Sequence, residues 1–192
     1  DLSLKPSQGK LTAVEGDFNI GVVGDDFSIL LSKDKASLVS YRKNGRELIK
    51  RAPQLNFWRA LTDNDRGAGY DFELSQWEIA GKYAKNQDID VKHEEDSITV
   101  TYTFRLALPS DVKCSVSYTV DANGKIIVCA EYPGAEGLAP LPEFGLEFAL
   151  PKAMNRFAWY GLGPDENYLD RTAGAHLGIF ESTAEQNKAP YL

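Results

Sequence analysis

An all-β fold, a large antiparallel sandwich with one short helix, is what three stretches of this chain predict. From Ile98 to Leu106, Ile98, Val100, Tyr102, Phe104 and Leu106 alternate with Thr99, Thr101, Thr103 and Arg105. That period of two is a strand with one buried face and one wet face. Val112 to Val120 repeats it, with Val112, Cys114, Val116, Tyr118 and Val120 inward and Lys113, Ser115, Ser117 and Thr119 outward. Lys125 to Tyr132 is apolar at successive positions, as expected of a strand covered on both faces. One sheet packed on a second sheet follows.

The other elements fit that frame. Residues 1–16 read as a loose lead and residues 17–192 as the domain. Phe18 to Val23, Phe27 to Leu31 and Ala36 to Tyr41 read as short strands between Gly/Asp turns. Lys43-Asn44-Gly45-Arg46 is a hairpin signal leading to Glu47-Leu48-Ile49. Asp71 is placed to cap a helix running to Lys82, with Leu74, Trp77, Ile79 and Ala80 as its apolar side and Gly81 as its stop. Pro142 to Leu150 and Ala158 to Tyr160 complete about eleven strands.

Length and composition set bounds. The 192 residues suffice for one domain with a substantial core, and 43% apolar content is that of an ordinary globular chain. A net charge of −7 with dispersed Lys and Arg argues against nucleic acid as a partner. No apolar run reaches the length of a membrane span. Cys114 and Cys129 fall on two strands of one hairpin joined at Asp121-Ala122-Asn123-Gly124. A two- or four-residue loop would turn both to one side, and two small buried thiols are expected rather than a disulfide.

Two segments concentrate chemistry. One is Asn56 to Gly67, holding Trp58, Arg59, Asp63, Asn64 and Asp65. The other is Trp159 to Arg171, holding Gly161, Gly163, Pro164, Asp165, Glu166, Tyr168, Asp170 and Arg171. Asp63-Asn64-Asp65 invites a calcium-loop reading, but the twelfth position is Leu74, where a bidentate Glu is required. Turn capping and pairing with arginines is the expectation instead. Pro164 removes an amide that a phosphate cradle would use, and the two histidines and two cysteines lack zinc spacing. His93 sits in a polar run read as an exposed turn, and His176 is read as structural.

The blocks Trp58-Arg59-Ala60-x-x-Asp63-Asn64-Asp65-x-Gly67 and Gly161-x-Gly163-Pro164-x-Glu166-x-Tyr168-x-Asp170-Arg171 resemble those of the small-chain domain of lacZ-type β-galactosidases, in glycoside hydrolase family 2. The resemblance runs from about Asp17 to the last residue. It implies an antiparallel supersandwich similar to galactose mutarotases, truncated here because the family domain continues past Pro190-Tyr191. It also implies that the catalytic glutamates lie in a separate barrel domain, so none of the residues named here is catalytic. The parent resembles magnesium-dependent enzymes, with no cofactor held in this fragment. Its implied partners are the rest of the β-galactosidase chain and a β-galactoside. No nucleic acid or membrane is implied.

On this reading Arg59 and Arg171 lock to Asp63, Asp65, Glu166 or Asp170, and the two loops touch. Open edges left by truncation are expected to favour self-association. An independent carbohydrate-binding module using Trp58, Trp77, Trp159, Tyr160 and Tyr168, and a mutarotase-like enzyme using His176 with a carboxylate, stay open as alternatives.

Overall fold

Alternating apolar residues become two facing sheets in the computed structural model, which describes residues 9–165 and 167–187. Contacts divide the chain into two units, Asp1–Ala149 and Leu150–Leu192. In chain order the first unit contains β1 (Thr12–Glu15), β2 (Asn19–Val23), β3 (Phe27–Ser32), β4 (Ser37–Lys43), β5 (Arg46–Glu47) and β6 (Arg51–Asn56). Three short helices follow: α1 (Asp63–Gly67), α2 (Tyr70–Glu73) and α3 (Gln76–Ala80). Then come β7 (Lys85–His93), β8 (Ser97–Arg105), β9 (Lys113–Asp121), β10 (Ile126–Glu131) and β11 (Gly145–Ala149).

Strands β1 to β5 form a five-stranded sheet in sequential order, and β10-β9-β8-β7 form a four-stranded one. Every pairing is antiparallel. The inner face of the first sheet supplies Ile20, Val22, Ile29, Leu31 and Leu38 to a shared core. The second sheet supplies Ile98, Val100, Tyr102, Val116, Tyr118 and Val120. Fully burying a Val, Ile or Leu contributes about 1.5–3 kcal/mol, so the sandwich follows from the period of two. Strand β6 pairs with β11, with Arg51 and Glu147 joined across them.

The second unit is a hairpin of β12 (Arg156–Gly163) and β13 (His176–Thr183), with a 3-10 turn at Leu169–Gly174 between them.

Several expectations are corrected. The helix expected from Asp71 to Lys82 is split, because the chain leaves helical geometry at Leu74 and restarts from Ser75. The block Asp63-Asn64-Asp65, expected to cap turns and pair with arginines, opens α1, where Asp65 forms the capping box and pairs with Arg59. The hairpin loop after β9 has three residues: Asp121 N–H donates to the Lys125 carbonyl at 3.0 Å, and Gly124 takes φ +75°. An odd loop reverses side-chain parity, so Cys129 sits opposite Ser117 on the outer face while Cys114 points inward. Cys129 is therefore exposed rather than buried. Strand β10, expected to be covered on both faces, is the outermost strand of its sheet.

Other strands lay outside the expected list. Thr12–Glu15, within the stretch read as a lead, pairs with β2. His93, read as part of a turn, ends β7, where it lies opposite Ile98. Strands β6, β7 and β13 were not expected at all. Lys85–His93 carries only Ile89 and Val91 as apolar residues, and an edge strand needs little more.

Candidate functional site

The Trp-Arg segment leaves β6 through Asn56, whose side chain brackets the turn. Its amide nitrogen donates to the Trp58 carbonyl at 2.8 Å, and its oxygen accepts from the Trp58 N–H at 3.2 Å. Between them Phe57 drops into a second core, where it stacks on Trp77 at 5.7 Å and meets Tyr132 and Phe144. Trp77 donates its indole N–H to the Ala139 carbonyl at 3.1 Å. Trp58 is half-buried against this same cluster. The loop that carries Arg59 therefore rests on an aromatic anchor.

Thr62 is the N-cap of α1. Its hydroxyl accepts from the Asp65 N–H at 3.2 Å, while Asp65 Oδ2 accepts from the Thr62 N–H at 2.8 Å. This reciprocal capping box satisfies two amides that the helix start would leave unpaired. Arg59 then grips Asp65 with both terminal nitrogens, Nη1 to Oδ2 at 2.6 Å and Nη2 to Oδ1 at 3.2 Å. Asp65 is only 7% exposed. The Arg59 guanidinium, with help from the Thr62 amide and hydroxyl, holds its carboxyl down at about 2. Such a group is ionised at neutral pH and cannot donate a proton there. Asp63 is exposed and pairs at the surface with Arg66 at 3.3 Å. Asn64 is exposed too.

The Gly-Pro segment closes β12. Residues Phe157, Trp159, Gly161 and Gly163 share one face with Ser182, Phe180, Gly178 and His176 of β13. Trp159 packs on Phe157 and Phe180 at 5.7 and 5.4 Å, and His176 meets the Phe180 edge at 5.3 Å. A Cβ on Gly163 would lie 2.7 Å from Phe180 Cδ2, so only glycine fits under that ring. The bond from Gly163 to Pro164 is cis. The Leu162 carbonyl accepts from the Trp159 indole at 3.1 Å and from Asn167 at 3.2 Å, which folds the loop back on its strand. Tyr168 is half-buried just before the 3-10 turn. Glu166 and the side chains of Asp170 and Arg171 lie outside the described residues.

The described residues thus bring Trp58, Arg59 and Asp65 together in one unit. Gly161, Gly163, Pro164 and Tyr168 belong to the other. Thr62 and Asn56 carry roles that the sequence reading did not assign. Thr62-x-x-Asp65 had the spacing of a capping box and could have been found from it.

Asp63-Asn64-Asp65 does not fit a cation, because both Asp65 oxygens already accept from Arg59 and one also from Thr62. Among the described residues no three His, Cys, Asp or Glu side chains converge to hold a metal ion. An open groove of about 660 Å³ runs past Lys113, Glu131, Tyr132 and Phe144. None of the helices is long and apolar enough to cross a membrane, among the described residues.

These features define an all-β, sandwich-like antiparallel domain whose most polar motif is bound up in its own fold. Residues 23–192 match the model of the family described as "Beta galactosidase small chain", and the chain belongs to that family. It is 49% identical over 187 residues to a β-galactosidase of Streptococcus thermophilus, covering 97% of this chain and 18% of that one. A β-galactosidase of Lactobacillus delbrueckii subsp. bulgaricus is 48% identical over 184 residues, 96% of this chain and 18% of its own length. A β-galactosidase small subunit of Latilactobacillus sakei is 35% identical over 203 residues, 95% of this chain and 63% of its own. The chain thus spans under a fifth of the first two relatives and less than two thirds of the third.

Proposed function

We propose that this chain serves as the non-catalytic small-chain domain of a β-galactosidase that hydrolyses terminal non-reducing β-D-galactosyl residues. It braces the active-site region and contacts the remainder of the enzyme. The observation that carries this reading is the bidentate grip of Arg59 on Asp65 inside the capping box. A carboxylate whose oxygens are all engaged, and whose proton leaves at about 2, supports a loop rather than a reaction. The relative named as a small subunit favours association without a covalent link.

On this reading the two loops act together as scaffolding. Magnesium and the reacting carboxylates belong to the rest of the enzyme, and the open sheet edges serve self-association. The isolated chain should give no turnover of a chromogenic β-galactoside; hydrolysis by it would refute the assignment. Supplied in trans to a β-galactosidase lacking this region, the chain should restore activity, and Arg59→Ala should restore less.

A further inference from the structure

The two cores of the first unit adjoin at Leu55 and Phe104, which pack against both. Beside these residues the chain leaves a cavity of about 160 Å³. Protein cores hold few voids larger than a water molecule, so a space of this size is an exception. Its walls include Ala36, Leu55, Ala84, Phe104, Val116 and Leu146. Ala36 and Val116 are buried core residues, so the cavity belongs to the packing of this unit and not to a sheet edge. Tyr118 lines it too, but its hydroxyl is engaged with Ser37, which gives its own hydrogen to the Pro53 carbonyl. The inner walls therefore offer an occupant apolar side chains. Lys35, Gln54 and Lys82 are exposed and mark the mouth.

Charge at that mouth is of one sign: Lys35 and Lys82 line the cavity, and no carboxylate does among the described residues. Lys35 stands on the turn between β3 and β4, which its own N–H fixes by donating to Ser32 Oγ at 3.1 Å. Lys82 follows Gly81, where no Cβ would fit against the Leu55 carbonyl, so the end of α3 is pressed onto β6. The Lys82 ammonium lies 5.9 Å from the centre of the Tyr83 ring. Among the described residues neither lysine is in an ion pair. An apolar cavity of about 150 Å³ takes up a molecule the size of benzene, and a few polar groups at its rim set what that molecule must carry. We propose that this cavity binds a small aromatic carboxylate of benzoate size. The ring lies among the apolar walls, and the carboxylate meets Lys35 and Lys82. A free phosphate or a sugar would leave those walls unused.

The site needs only the packing of the first unit, so it stands apart from the hydrolase reading and turnover assays leave it untouched. Benzoate titrated into the 192-residue chain and followed by amide chemical shifts should saturate at about millimolar concentration. The shifts should gather on the strands that carry Leu55, Phe104, Val116 and Leu146. Benzyl alcohol, which keeps the ring without the charge, should bind about tenfold more weakly, and acetate should not saturate. Lys35→Gln and Lys82→Gln should each weaken benzoate by about fivefold and leave benzyl alcohol unchanged. Ala84→Leu fills the space and should abolish binding of both, with far-UV circular dichroism checking that the fold is kept. Absence of saturation by benzoate overturns the proposal. So does acetate binding as tightly as benzoate, benzoate binding indifferent to both lysine changes, or shifts that fall away from these walls.

Discussion

Arg59 and Asp65, six positions apart, are joined by two parallel hydrogen bonds of 2.6 and 3.2 Å across the start of α1. The pair closes the loop that leaves β6, and the same carboxylate caps the helix that follows. One side chain thereby sets both the exit of a strand and the entry of a helix. Bidentate geometry is specific to arginine, so lysine would satisfy the charge without holding the direction.

The pH dependence follows from the sign of the Asp65 shift. Its carboxyl titrates at about 2 in the folded chain, below the usual 3.8. The stabilisation is complete above about pH 4 and fades as the pH falls toward 2, amounting to about 2 kcal/mol. Urea unfolding at pH 6 and pH 2 should show the gap between wild type and Asp65→Asn closing at the lower pH.

Thr62→Ala removes the hydroxyl that accepts from the Asp65 N–H. A loss of about 1 kcal/mol in unfolding free energy is expected. Thr62→Ser should keep most of it.

The two core tyrosines should respond in opposite ways. Ser37 gives its hydroxyl hydrogen to the Pro53 carbonyl at 2.6 Å, so the Tyr118 hydroxyl, 3.3 Å away, is the donor between them. Tyr118→Phe should cost about 1 kcal/mol. The Tyr102 hydroxyl is buried with no hydrogen-bond partner among the described residues, and Tyr102→Phe should be neutral or stabilising in thermal melts.

Thiol chemistry should separate the cysteines. Burial pushes the Cys114 thiol up to about 12, whereas Cys129 is exposed. A maleimide at neutral pH should label Cys129 within the native chain and reach Cys114 only after denaturation. Cys129→Ser should abolish the fast phase.

Gly163→Ala drives a methyl group into Phe180. The hairpin of β12 and β13 should become more sensitive to limited proteolysis, with a cost of about 1–3 kcal/mol. Phe180→Leu should relieve part of the clash.

The strands whose side chains alternate without interruption, β8 and β9, could be read from the sequence nearly to the residue. Burial on one face imposes a period of two, and no other structure satisfies it. Lys85–His93 could not, since an edge strand is held by backbone bonds to β8 rather than by apolar side chains. The cysteine error came from one residue of loop length, which the sequence around Asn123-Gly124 does not specify. In the Trp-Arg block the residue types signalled pairing. Which of Asp63 and Asp65 takes Arg59 depends on the turn of helix between them.

By itself the sequence determined the all-β class, the apolar faces that build the sandwich, and the two motifs that mark the small-chain family. These depend on local periodicity and on residue types at set spacing, which every chain carries in its covalent order. Tertiary structure alone decided that β10 lies at an edge, that Cys129 faces outward, and that Asp65 rather than Asp63 is buried under Arg59. The first depends on which segments become neighbours once the core has closed, chosen by shape and area across the whole fold. The other two depend on a three-residue loop and on the folded path of α1, which residue types alone do not specify.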